Sequence, residues 1–120
     1  MAHTPPTPRP EEFLPLTHLT FYLLLALAEA PAHGYALVQR IRERSGNLVD
    51  PGTGSFYSII RGTVDSGLIR EDDTADTSGR RRSFALTPLG GAVLRAEHRR
   101  LEKLVAETKT LARRKVGGTR

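Results

Sequence analysis

The 120-residue sequence contains no cysteine and no tryptophan. Without cysteine there is no disulfide framework, no thiolate metal site and no thiol nucleophile or redox sensor, which suits a reducing, cytoplasmic setting. Without tryptophan the broadest ring on which a flat ligand could stack is missing, and only four Phe and three Tyr supply aromatic surface. Long apolar runs are scarce as well. The longest, Phe21 to Ala28, falls far short of the roughly 20 residues a membrane span needs, so no membrane association is expected. The start, Met1 to Pro10, carries four prolines and lacks a basic, cleavable leader pattern. Residues 1–15 are therefore expected to form a disordered arm.

Motifs for catalysis and cofactors are equally thin. Gly52-Thr53-Gly54 lacks the later glycine of a dinucleotide fingerprint and the Gly-Lys pair of a phosphate loop. His3, His18, His33 and His98 are widely spaced, with no metal-ligand pattern and no supporting carboxylate. Glu71, Asp72, Asp73 and Asp76 do not have calcium-loop spacing. They are expected to oppose arginines across a hairpin or to repel wrong approaches to a polyanion. No enzyme activity, metal or cofactor is expected.

What the chain does have is a sharp charge asymmetry. Residues 1–79 hold six Lys or Arg against ten Asp or Glu, whereas residues 80–120 hold twelve against three, giving local balances of −4 and +9. A positive field confined to one end attracts a polyanion by counterion release, and double-stranded nucleic acid fits better than an anionic membrane.

The residue pattern places four helices and a hairpin. Thr17 is a candidate N-cap for a first helix over His18 to Ala30, stopped by Pro31. That helix is apolar on nearly all sides, so a partner subunit is expected to cover part of it, with Phe21 and Leu24 in the contact. After the corner Ala32-His33-Gly34-Tyr35, a second helix runs from about Tyr35 to Arg44. Its arginines, Arg40, Arg42 and Arg44, point in different directions and read as solvated surface. A third helix opens near Thr53 or Ser55, either of which can cap it. Phe56, Ile59 and Ile60 form its apolar face and Ser55, Ser58 and Arg61 its outer face.

Gly67 then ends the helix, and Leu68 to Asp72 begins a strand. Ser83 to Leu86 alternates with period two, which turns Phe84 and Leu86 inward and leaves Arg82 and Ser83 to flank the exposed side. Arg80, Arg81 and Arg82 open this return strand, where they can reach phosphates or a narrow minor groove. Thr87-Pro88 is a helix start, and Leu94, Leu101, Leu104 and Leu111 follow at coiled-coil spacing, interrupted by Glu97 and Thr108. The fold class expected is mainly α with a small β-hairpin wing: a winged helix-turn-helix over residues 16–87, a long C-terminal dimerisation helix over 88–114, and a flexible tail over 115–120.

Within residues 16–111 the chain resembles the short branch of the PadR-like transcriptional regulators. The likeness rests on Leu16-Thr17-His18, the His33-Gly34-Tyr35 corner, Gly54-Ser55-Phe56-Tyr57, Gly67-Leu68-Ile69, and the basic return strand followed by Leu86-Thr87-Pro88-Leu89-Gly90. The resemblance implies that the third helix is the recognition helix, the hairpin the wing and the last helix the dimerisation arm. It also implies a homodimeric repressor on an inverted-repeat operator, with release by a small-molecule effector in some members. The chain departs from the family pattern at Gly62-Thr63, which puts a poor helix former and a polar group in mid-helix.

The residues expected to contact DNA are Ser55, Tyr57, Ser58 and Arg61 on the third helix and Arg80, Arg81 and Arg82 on the wing. At the corner, His33 and Tyr35 either present amides and side chains to a phosphate or simply fix the turn by packing. Tyr57 carries the same pair of readings, since its ring can pack while its hydroxyl stays outside. Two alternatives remain: a winged-helix module that binds protein and has no DNA target, kept open by the slightly acidic balance of residues 50–69, and a MarR-like regulator, which expects longer helices at both ends.

Overall fold

The computed structural model describes residues 8–72 and 82–114. In chain order it comprises a 3-10 helix, Pro10–Phe13, then α1 (His18–Glu29), β1 (Ala32–His33), α2 (Gly34–Arg44), α3 (Thr53–Asp65), β2 (Ile69–Glu71), β3 (Ser83–Leu86) and α4 (Pro88–Arg114). The fold is mainly helical, with a small antiparallel sheet as the wing. Residues 80 and 81 lie outside the described residues, as does the tail from residue 115.

α1 begins as its sequence predicts, with the Thr17 hydroxyl accepting from the Thr20 amide at 3.2 Å. Leu23, Leu24, Ala26 and Leu27 of this helix are buried in the chain's own core, where they meet Leu37 and Ile41 of α2, Phe56 and Ile60 of α3, and Phe84 and Val93. The carboxyl end of α1 is closed by Arg40, whose guanidinium donates to the carbonyls of Ala26 at 3.1 Å and Ala30 at 2.9 Å. Arg42 pairs with Asp50 at 3.1 Å, and Arg44 pairs with Glu29. The arginines expected to be free surface on α2 are thus each engaged within the chain, and it is their divergence around the helix that lets them reach three different partners.

α3 starts at Thr53 with Gly52 in the cap position, so the helix opens earlier than a cap at Thr53 or Ser55 would have it. It runs through Gly62-Thr63 without a break. Thr63 is buried, and its hydroxyl donates to the Ile59 carbonyl one turn back at 2.6 Å, which satisfies the polar group inside the helix. At the far end Gly67 adopts φ 84°, and the amides of Gly67 and Leu68 bond back to the carbonyls of Val64 and Thr63, both at 3.0–3.1 Å. This double return closes the last turn and requires the left-handed backbone that glycine takes without penalty.

The sheet has the order β1-β3-β2, both pairs antiparallel, with Ala32 opposite Phe84, His33 opposite Ser83, and Glu71 opposite Phe84. β1 is a strand where a simple corner was expected, because two residues are too few to show a period. Its presence makes β3 the central strand. Ser83, expected on the exposed side, is buried together with Phe84 and Ala85 because β1 covers the edge that a two-strand hairpin leaves open.

α4 is capped by Thr87, whose oxygen accepts from the Gly90 amide at 3.0 Å while its hydroxyl faces the Gly67 and Leu68 carbonyls at 2.6 and 2.9 Å. The first half of α4 lies on the core. Part of the segment expected to be a disordered arm is ordered against it: Pro10–Phe13 is helical, and Phe13, Leu14 and Leu16 pack on the core cluster. The link is a buried carboxylate. Glu97, 2% exposed, accepts the Leu16 amide at 3.0 Å and a two-pronged pair of bonds from Arg100 at 2.6 and 3.0 Å. Those bonds, the Arg100 pair foremost, hold the Glu97 carboxyl below its ordinary range against the opposing effect of burial.

Candidate nucleic-acid interface

An open groove of about 700 Å³ runs between the start of α2, the outer face of α3 and the wing. Of the residues expected to contact DNA, Tyr57, Ser58 and Arg61 line it from α3, His33 and Tyr35 from the corner, and Arg82 from the wing. Ser55 is exposed on the first turn of α3 but is not part of the groove lining. Arg80 and Arg81 lie outside the described residues.

Local packing sets the floor of this groove. His33 is the last residue of β1 and the N-cap of α2, its Nδ1 accepting from the Ala36 amide at 3.5 Å. Gly34 follows, and the Tyr57 ring lies directly over it: a methyl group on Gly34 would stand 3.0 Å from the Tyr57 hydroxyl oxygen and 3.1 Å from a ring carbon. The packing reading of Tyr57 therefore holds, with its hydroxyl oxygen the atom nearest that position on Gly34. One side of the ring rests on the α2 corner, which fixes its direction, while the side chain as a whole remains exposed with Tyr35 nearby at the rim. Two exposed tyrosines, a serine and an arginine around one groove give hydroxyl donors and acceptors, ring faces and a planar cation, a set suited to base edges and phosphates.

The wing contributes charge of both signs. Arg82 lies just before β3, two residues ahead of Phe84, and Glu71 of β2 pairs with Phe84; all three line the groove. The Arg82 Nη1 meets the Glu71 Oε2 at 3.2 Å. Glu71 thus opposes an arginine across the hairpin, as its sequence position led us to expect, while Asp73 and Asp76 lie outside the described residues. Asp65 is a second carboxylate in the groove, and the sequence did not single it out. Among the described residues no group of three or more His, Asp or Glu could hold a metal ion.

The residues expected at a subunit contact divide. Leu24 is fully buried in the chain's own core and is not available to a partner, because an all-round apolar α1 is covered by α2, β3 and α4 of the same chain. Phe21 is half-buried and meets Tyr22 edge-on, ring centres 5.6 Å apart. Leu94 is half-buried against the core and Leu101 half-buried on α4. Leu104 and Leu111 are exposed, together with Val105, which sequence spacing alone did not pick out. No described helix is long and apolar enough to cross a membrane.

Comparison with known proteins agrees with this architecture. A conserved protein of unknown function, described as a potential transcriptional factor, is 32% identical and superposes with a TM-score of 0.63 over 80% of this chain and 85% of its own. A transcriptional regulator from Clostridium thermocellum superposes with a TM-score of 0.60 over 82% of this chain and 90% of its own, at 18% identity that speaks for the fold alone. An uncharacterised 37.1 kDa protein of a Streptomyces fradiae transposon is 35% identical over 82 residues. That match takes in 68% of this chain and spans only 22% of the transposon protein's length. The profile of the transcriptional regulator PadR-like family matches residues 23–96, which run from within α1 into α4 and hold the whole groove between them. With a fold, a groove and a sequence profile in agreement, the chain belongs to the PadR-like family, a family of transcriptional regulators and not of enzymes.

Proposed function

We propose that the chain is a homodimeric DNA-binding repressor whose α3 enters the major groove while the wing contacts the flanking backbone. The observation that carries this reading is the convergence of Tyr35, Tyr57, Ser58, Arg61 and Arg82 on one groove. Arg61, exposed on the outer face of α3, is the candidate for two-pronged recognition of guanine, and the tyrosine and serine hydroxyls serve phosphates or base edges. Ser55 on the first turn of α3, and Arg80 and Arg81 of the wing, belong to the same proposed contact.

The second half of α4 supports dimerisation. Leu101, Leu104, Val105 and Leu111 fall on one helical stripe, and the last three are exposed in the single chain. Two copies joined along this stripe hold two α3 helices at a fixed separation, which calls for an inverted-repeat site with half-sites about 34 Å apart, or a multiple of that. A small molecule that settles between the arms and prefers one spacing changes DNA affinity by that preference, which is how an effector would release the repressor.

The test is a mobility-shift titration with DNA flanking the protein's own gene, repeated at several salt concentrations. A specific, salt-sensitive complex of two chains per site is expected, and Arg61→Ala should relax the sequence preference. Absence of any such complex, with no retention on bulk DNA at low salt, would overturn the reading in favour of a protein-binding winged helix.

A further inference from the structure

Resting on the reading of the groove as a DNA-binding surface, we infer that Glu71 is a discrimination residue. It keeps Arg82 off the DNA backbone in loosely docked complexes and gives it up only when α3 is fully seated. The described lining of the groove holds two cations, Arg61 and Arg82, and two carboxylates, Asp65 and Glu71. A surface built only to grip phosphates gains nothing from carboxylates, since each opposes the polyanion and cancels counterion release. Glu71 also has a specific partner. Its Oε2 stands 3.2 Å from the Arg82 Nη1, a diagonal cross-strand contact fixed by the pairing of Glu71 with Phe84.

The exposure of the pair separates this role from a structural one. The Arg82 side chain is 70% and the Glu71 side chain 45% exposed, and an ion pair so open to water contributes little to folding. Its chemistry matters more towards a third charged group. In a loose complex, with α3 not in the major groove, the closed pair presents no net charge and Arg82 makes no phosphate contact. In a fully docked complex the wing is pressed to the backbone, and a phosphate replaces the Glu71 carboxylate as the partner of Arg82, a stronger, forked contact for guanidinium. The exchange lowers affinity for arbitrary DNA and leaves the cognate complex nearly unaffected. Glu71 thus acts through Arg82 and is a positioning residue with no DNA contact of its own.

The experiment uses the full chain and two fluorescent duplexes, the fragment that shifts specifically and a scrambled duplex of equal length. Affinities are measured by anisotropy from 50 to 200 mM salt for the unaltered protein, Glu71→Gln, Arg82→Gln and the double variant. Glu71→Gln should steepen the dependence of log K on log salt by about one for the scrambled duplex, the signature of one added phosphate contact, and leave the slope on the specific fragment unchanged. Its gain on scrambled DNA is then roughly threefold larger at 50 mM than at 200 mM salt. In the Arg82→Gln background the Glu71 substitution should have no effect on either slope. Melting temperatures should agree among the four proteins, which establishes that all are folded.

Three results would overturn the inference and leave the DNA-binding reading standing: unchanged slopes in Glu71→Gln, equal steepening on both duplexes, or the same gain with Arg82 already removed. Failure of the unaltered protein to bind either duplex would overturn that reading and this inference with it.

Discussion

The two halves of α4 carry apolar residues at the same kind of spacing and meet opposite fates. Val93 is 0% exposed and Val105, twelve residues later on the same helix, is 52% exposed. Between them stands Glu97, the last buried residue of the helix among the described ones, which holds Leu16 and Arg100. The difference teaches that heptad spacing marks which face of a helix is apolar without saying what covers it. In the first half the cover is α1, the sheet and the ordered arm. In the second half, among the described residues, the stripe of Leu104, Val105 and Leu111 faces outward.

The largest effect should come from charging the outer stripe. Leu104→Glu combined with Leu111→Glu should leave a folded monomer by sedimentation and lower affinity for a two-half-site duplex by roughly 10² to 10⁴, because the second half-site loses the effective concentration that linkage supplies. A dimer surviving that change would move the subunit contact elsewhere. Next in size, Val93→Ala should cost about 1.5–3 kcal/mol of folding stability in urea unfolding, with the transition remaining cooperative.

Glu97→Gln comes third and should cost about 1–3 kcal/mol at neutral pH by weakening the buried anchor to Leu16 and Arg100. Its pH dependence has a definite sign. The folded carboxyl is held below its ordinary value of 4.5, so the pair's contribution is whole above that value and is lost as pH falls through the lowered folded one. The Gln variant should therefore show a shallower loss of stability than the unaltered protein over that acid range. The smallest effect belongs to Val105→Ala, expected within about 0.5 kcal/mol for the folding of the single chain and visible only as a weaker dimer. A large folding penalty there would erase the contrast between the two halves.

Much of the architecture was readable from local signals. Thr17, Gly67 and Thr87-Pro88 marked helix ends because capping chemistry acts within four residues. The lining of the candidate site was readable in part: Tyr57, Ser58 and Arg61 share a helix face, and the His33-Gly34-Tyr35 corner lies beside them in the groove. What escaped depends on contacts between distant segments. β1 is too short to have a period, and the burial of Ser83 follows from β1 alone. Leu24 and Leu104 look alike in sequence and differ only in what the rest of the chain places over them. Arg40 looked like solvent-facing charge until the end of α1 came within its reach.

β1 also changes how the wing behaves as a mechanical object. Because His33 is both a rung of the sheet and the first cap of α2, the wing has a hinge pin inside the folded body. β3 is joined through His33 to the entry of α2, and α2 in turn holds the carboxyl end of α1 through Arg40. A two-residue strand thereby stitches the wing edge of the groove to the two helices behind it.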